Sequence, residues 1–130
     1  MKKVKVPVEI RFKDVDLAGH VHHSIYLIFF EQARLNYFAE FVPSDHDWNA
    51  QGLVVARVEV DHLDRLALND KVVVELWCER IGNKSFDLVY EVIKNGESIC
   101  CTGKTTMVCF DFNENATIGV PQEWRKALIP

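Results

Sequence analysis

Basic residues are outnumbered in this chain, and apart from Lys2, Lys3 and Lys5 they are scattered along it. Against 15 Lys and Arg stand 19 Asp and Glu, for a net charge of −4. That balance excludes binding to nucleic acid through a general basic field, because neutralising phosphates takes grouped cations. Long apolar runs are missing too: the longest unbroken one, Ile25 to Phe30, is far too short to cross a bilayer. The N-terminal stretch MKKVKVPVEIRF alternates instead of running apolar, so no secretory signal is read in it. Cys78, Cys100, Cys101 and Cys109 lack any Cys-x-x-Cys spacing and lie in apolar or alternating segments. They read as reduced core thiols of a cytoplasmic protein, with Cys100 or Cys101 as a nucleophile the weaker alternative. No repeat, low-complexity run or linker divides the sequence. Its 130 residues, 48% hydrophobic, are expected to form one domain, 1–130, able to bury a core without staples.

What is present is strong periodicity. Val4, Val6, Val8, Ile10 and Phe12 alternate with Lys5, Pro7, Glu9 and Arg11, the period of a strand with one buried face. Pro7 removes a ladder donor on the outward side, which points to an edge or bulged strand. From Ser24 to Val42 the pattern predicts a long helix, apolar nearly all round its first two turns and buried mostly at that end. Pro43 stops it, and Ser44–Asp47 offers a cap for a short turn closed by Gly52.

Beyond Gly52 four strands are expected, Leu53–His62, Lys71–Ile81, Lys84–Lys94 and Glu97–Phe112. Gly82-Asn83 and Asn95-Gly96 tolerate positive φ, so the last three strands should form an antiparallel meander. The longer loop Asp64–Asp70 is a place for function. The order β-α-β-β-β-β predicts an α+β domain, a curved antiparallel five-stranded sheet wrapped around one long central helix.

The densest chemistry lies between strand one and the helix, in FKDVDLAGHVHHSIYLIFFEQAR. Asp14 and Asp16 share the parity of Phe12, which would set a carboxylate at the core's edge. Leu17-Ala18-Gly19 supplies a turn, and the chain then reaches a helix start whose free N–H groups bind an oxyanion or carbonyl oxygen. A carboxylate beside such N–H groups suits acyl transfer, the N–H groups polarising a carbonyl while the carboxylate attacks it or activates water. The same residues are also ordinary loop and cap residues. His20, His22 and His23, with Asp16, invite a metal reading, but no distant Cys or His pair completes a site at recognised spacing, so no metal is expected. Glu31 is the second carboxylate to consider, with Arg34 or Arg57 to compensate it.

These residues, Phe12 to Leu27 and then Phe30-Glu-Gln-Ala-Arg34, resemble the 4-hydroxybenzoyl-CoA thioesterase family of hotdog-fold acyl-CoA thioesterases, with its D-x-D-x-x-G-H/I-V-x-x-x-x-Y-L and F-E-x-A-R signature. Val54–Leu63, Leu68–Val72 and the tail Val120-Pro-Gln-Glu-Trp-Arg-Lys-Ala-Leu128 extend the likeness along nearly the whole chain. The resemblance implies hydrolysis of an acyl-CoA thioester, with coenzyme A as part of the substrate and no cofactor. Asp16 is then the catalytic carboxylate, the His23 N–H polarises the carbonyl, and Gly19 allows close approach. One branch of the family also uses the side chain at His23. Glu31 is the fallback, because a separate hotdog subfamily uses a helix Glu. Ile25 and Tyr26 would flank the acyl chain, and Arg57 and Arg65 are rim candidates for the CoA phosphates, beside Lys71, Arg80 and Lys84.

The family pairs its monomers at the subunit boundary, so a homo-oligomer is expected, a dimer at minimum with a tetramer as the full assembly. Leu17 in place of a frequent Pro, and His62 and Leu66 in place of a frequent Tyr and Pro, bear on the substrate more than on the reaction. Two rival readings are a hotdog enoyl-thioester hydratase or dehydratase and a non-catalytic acyl-CoA or acyl-carrier binding module.

Overall fold

Alternating lysines and valines at the N-terminus become β1 (Lys3–Val8). The structure, a computed structural model, describes residues 2–129, so the outermost residues of the expected domain, 1 and 130, lie outside it. A 3-10 turn at Phe12–Asp14 ends the extended run, and then come α1 (His23–Ala39), β2 (Gln51–His62), β3 (Val72–Ile81), β4 (Ser85–Lys94) and β5 (Ser98–Asp111). A two-residue β6 (Ala116–Thr117) and α2 (Gln122–Leu128) complete the order. The strands form one six-stranded antiparallel sheet in the order β1-β3-β4-β5-β2, with β6 beside β5. The α+β order is as expected; the count of five strands is corrected by β6.

Pro7 sits in β1 at one margin of the sheet, where a missing N–H costs no ladder bond. The meander β3-β4-β5 forms, and Asn95 and Gly96 turn it with φ of 54° and 67°. The other hairpin differs from expectation, since neither Gly82 nor Asn83 takes a positive φ. Arg125 of α2 holds that turn instead, donating to the Gly82 and Asn83 carbonyls at 2.8 Å each.

The helix runs 17 residues, starting one residue early and stopping at Ala39, short of the expected Val42. Gly52 lies inside β2 and closes no turn. Tyr26, Phe29, Phe30, Ala33, Tyr37 and Phe38 make the buried stripe, which reaches the C-terminal half. Burial on all sides does not occur: Leu27, Ile28 and Leu35 are 43%, 42% and 62% exposed. Phe30 stacks on Tyr90 at 4.4 Å and presses on Gly103 of β5, where any Cβ would meet its ring. At the far end Phe38, Phe41, Trp48 and Trp124 pack as one aromatic group.

A bulge between Val55 and Arg57 re-aims β2. Leu53 and Val55 before it, and Val58, Val60 and His62 after it, oppose buried positions of β5 on the side of α1. Arg57, Glu59 and Asp61 face the other way. All four cysteines are buried and free. Burial pushes the thiols of Cys78, Cys100 and Cys109 up to about 11 and that of Cys101 to about 12, which removes Cys100 and Cys101 as nucleophiles.

Candidate active site

The two aspartates part company because the 3-10 turn breaks the parity they share in sequence. Phe12 swings out to 81% exposure while Asp14 goes in, to 2%. The Asp14 Oδ2 accepts from the Arg11 N–H at 2.8 Å, and its Oδ1 meets no partner among the described residues. Asp16 is exposed. Its Oδ1 accepts the N–H groups of Ala18 and His20 at 2.9 and 3.1 Å, which leaves Oδ2 uncommitted. Gly19 closes this turn at φ 78°, donating to the Asp16 carbonyl at 3.0 Å. A Cβ on Gly19 would meet nothing within 4 Å, so the glycine answers to the turn and not to a crowded neighbour.

The turn is tied down on both sides. Val15 bridges Val21, the Asp16 N–H donates to the His20 carbonyl at 2.8 Å, and the His22 N–H donates to the Asp14 carbonyl at 2.9 Å. Val21 in turn donates to Leu66 and His20 bridges Ala67, so the loop Asp64–Asp70 walls the helix start. Lys94 pins that loop through the Arg65 carbonyl at 3.0 Å and Asp64 at 3.4 Å. The Arg65 N–H, then Lys94, hold the Asp64 carboxyl below its ordinary range.

The cap of α1 is His22, ahead of the expected start at Ser24. Its Nδ1 accepts from the Ser24 N–H at 3.2 Å, and the Ile25 N–H donates to the His22 carbonyl at 3.0 Å. Among the described residues the His23 N–H finds no acceptor, so one donor of the helix start stays open.

A cavity of about 290 Å³ lies at this end, lined by Val21, His23, Tyr26, His62, Leu63, Asp64 and Arg65. Tyr26 is buried, edge-on to His62 with centroids 4.8 Å apart, and burial pushes its phenol up to about 12, so the hydroxyl stays neutral.

The structure thus puts Asp16 and Gly19 in one hairpin turn and His23 at the helix start that follows it, and brings His23, Tyr26 and Arg65, though not Asp16, onto one cavity. Ile25 is half-buried against the core and is not among the cavity's lining residues. Arg57 lies on the opposite face of β2, paired with Glu59 at 2.8 Å. Glu31 is two thirds exposed, so no burial cost needs compensating; Arg34 approaches it at 4.0 Å and Arg57 does not. It borders a second cavity of about 580 Å³ between α1 and the β2–β5 side, lined with Leu35, Phe38, Trp48, Leu53, Val55 and Met107. Sequence reasoning missed both that cavity and His62 as a wall. Only the bulge, invisible in the letters, turns His62 toward α1. Among the described residues no cluster of three or more His, Cys, Asp or Glu could hold a metal ion. Among the described residues no helix is long and apolar enough to cross a membrane.

A sheet with one helix laid across it, an open N–H at the helix start and a carboxylate in the turn before it make a layout for attack on a carbonyl. Comparison with known proteins gives the family. The chain belongs to the thioesterase-like superfamily, whose family model matches residues 10–128. Its fold is therefore of the hotdog type expected, with α1 shorter than foreseen. The chain is 31% identical to a thioesterase from Thermus thermophilus solved in complex with coenzyme A and Zn, covering 95% of this chain and 90% of that one with a TM-score of 0.84. A predicted thioesterase from Bacillus stearothermophilus gives a TM-score of 0.89 at 27% identity, over 98% and 94% of the two chains. The acyl-CoA thioesterase YbgC of Haemophilus influenzae is 25% identical over 125 residues, 93% of this chain and 90% of that protein. The expectation of a thioester-hydrolysing enzyme holds at the level of the family.

Proposed function

We propose that this chain is an acyl-CoA thioesterase of the 4-hydroxybenzoyl-CoA thioesterase type, releasing a free acid and CoA. The observation that carries this reading is the open His23 N–H at the start of α1, directly after a turn whose Asp16 keeps one carboxylate oxygen free. The thioester carbonyl oxygen accepts from the His23 N–H, which steadies the negative charge that develops as the carbonyl carbon becomes tetrahedral. Asp16 then acts in one of two ways. As nucleophile it bonds to the carbonyl carbon, the C–S bond breaks, CoA leaves as thiolate, and water opens the mixed anhydride. As base it takes a proton from water, which attacks directly. A thiolate leaves readily, so one carboxylate suffices.

Arg65, beside the helix-mouth cavity, is the rim cation for the CoA phosphates; Arg57 faces away from it. Tyr26 flanks the acyl group, with Ile25 packed against the core behind it, and Glu31, exposed and bordering the other cavity, remains the fallback carboxylate. The working unit is a cytoplasmic homo-oligomer of single-domain chains, a dimer at minimum and a tetramer in full. A six-stranded sheet with β2 bare at its margin supports pairing between copies.

The test is Asp16→Asn assayed with a panel of acyl-CoAs and a thiol reagent. We expect turnover to fall by at least about 10²-fold with the fold intact, as losing a nucleophile or base does. Retention of more than about a tenth of the wild-type rate would sink the assignment. Single turnover in ¹⁸O-water separates the two roles: label withheld from the first product marks the anhydride, direct incorporation marks the base. Loss of enoyl absorbance without free thiol would identify a hydratase, and tight binding without thiol release a binding module.

A further inference from the structure

Three arginines reach into the fold, and they are not held alike. Arg80 and Arg125 each make three hydrogen bonds of 3.2 Å or shorter. Arg34, on α1, has a side chain only 12% exposed, yet among the described residues its guanidinium makes a single bond, to the Tyr90 hydroxyl at 3.3 Å. Tyr90 is bonded in turn to Thr105 at 2.7 Å, and burial pushes its phenol up, so it stays neutral and supplies no counter-charge. The one carboxylate in reach is Glu31, at 4.0 Å and with its own side chain 66% exposed. Most of the guanidinium's N–H donors are thus without an acceptor, in a place where water reaches poorly and an unmatched charge is expensive.

Those donors stand at the wall of the cavity of about 580 Å³. The cavity is otherwise apolar, except for Glu31 and for Asn49, whose amide makes no bond among the described residues. It also lies in line with the helix mouth. His23, Leu27, Glu31 and Leu35 follow one another at i, i+4 spacing along α1, so the stripe that starts at the open N–H ends in the cavity, about 16 Å on at Arg34. On β2 the residues facing α1 run the same way, from His62 at the helix mouth through Val58 to Val55 at the large cavity. Leu27 and Val58, midway on the two stripes, are each about two fifths exposed, apolar area for an acyl chain to cover.

We infer that the acyl group carries a second carboxylate at its far end, bound by Arg34 in the large cavity, so that the substrate is the CoA mono-thioester of a dicarboxylic acid.

A carboxylate suits the place better than a neutral group. The planar guanidinium takes two carboxylate oxygens side by side, and a pair formed away from water is stronger than one on the surface. Glu31, loosely placed and facing solvent, yields its position to the incoming anion. The dicarboxylic substrate rests on the hydrolase reading; the anion at Arg34 does not.

Thiol release tests the substrate class. The mono-thioesters of CoA with succinic, adipic, suberic and sebacic acid are each compared with the plain acyl-CoA of the same carbon number. At the length that fits best, kcat/KM should favour the carboxylated member about tenfold or more. In Arg34→Met that ratio should fall about 10²-fold, reversing the preference, because the carboxylate then lies unpaired against apolar walls. Arg34→Lys keeps the charge without the fork and should lose less than about tenfold of the ratio. A ratio does not depend on the share of molecules that fold, and the wild-type preference is read without any variant. Preference for the plain chain at every length, an unchanged ratio in Arg34→Met, or an acyl chain ending in a hydroxyl that serves as well as the carboxylate would overturn the inference.

Calorimetry with non-hydrolysable thioether analogues separates the two readings. Wild-type protein should bind the carboxylated analogue about tenfold or more tightly than the plain one, and Arg34→Met should not. That binding preference without thiol release from any substrate overturns the hydrolase reading and leaves the anion site standing. Thiol release with no preference in rate or binding overturns the anion site alone.

Discussion

The two ends of α1 are built to opposite rules. The C-terminal end is closed: Trp124 of α2 stacks at 6.1 Å on Phe38, Trp48 and Phe41 complete the group, and Phe86 of β4 meets Phe38 edge-on at 6.1 Å. The N-terminal end is open, with an unclaimed N–H, a free carboxylate oxygen, an exposed Phe12 and a fully exposed Leu17. One end spends apolar area on holding the helix. The other leaves polar groups uncommitted, which a stability-driven design would have paired. The difference separates residues that keep the fold from residues that face a substrate, and substitutions at the two ends should therefore change different quantities.

The largest effect belongs to the closed end. Trp124 is 6% exposed and touches four aromatic rings, so Trp124→Ala should cost about 3–5 kcal/mol of stability, the usual range for emptying a large aromatic site. Denaturant unfolding reads the loss, while turnover per folded molecule, measured well below the transition, should stay within about twofold of wild type. A drop in turnover matching that of Asp16→Asn would erase the contrast between the ends.

At the open end the sharpest cut is His23→Pro. Proline is favoured at the first helical position and lacks only the N–H, and His22 already has φ −63° and ψ 143°, the extended conformation that precedes proline. Stability should hardly move. Turnover should fall about 10²–10³-fold, the effect of removing one oxyanion donor. His23→Ala keeps the N–H and removes the imidazole, so a loss of similar size in that variant would shift the role from backbone to side chain.

The contrast was only half legible in the letters. Alternation from Val72 to Ile81 and the Asn95-Gly96 pair gave the meander, and the D-x-D-x-x-G run marked the open end as the chemical one. At the closed end the tail was legible only as a family likeness and not as a helix, because α2 is seven residues long and matters only once Trp124 meets Phe38 and Arg125 the β3–β4 turn. Parity misplaced Phe12 for a local reason, the 3-10 turn that a period-two reading cannot contain. Arg57 as a partner for Glu31 or a rim cation fails for another local reason: a single bulged residue sends the arginine to the far face and brings His62 to the near one.

Acid should weaken the sheet through a buried carboxylate of β4. Asp87 of β4 is buried and accepts from Arg80 at 2.8 and 3.2 Å and from the Thr106 hydroxyl at 2.8 Å. Arg80, ahead of Thr106, holds its carboxyl below the ordinary range against the cost of burial. A depressed folded value means the stabilisation is complete above the unfolded value of about 3.9 and fades as pH falls through the lower, folded one. Asp87→Asn should therefore cost about 1.5–3 kcal/mol near neutral pH, the range for hydrogen bonds to a charged group, and almost nothing once both forms are protonated. A cost that stays constant down to acid denaturation would assign Asp87 a packing role alone.

The smallest effect returns to the open end and asks what Gly19 is for. At φ 78° a side chain costs about 1–2 kcal/mol, and Asn bears that conformation better than Ala does. Because nothing lies within 4 Å of where a Cβ would stand, strain is the whole penalty in the free protein. Gly19→Ala should lose about 1 kcal/mol and less than about tenfold in turnover, and Gly19→Asn should recover most of both if the turn is all that matters. Should both variants keep their stability yet fall about 10²-fold in turnover, the empty space over Gly19 is itself part of the site, kept clear for the thioester that Asp16 and the His23 N–H address together.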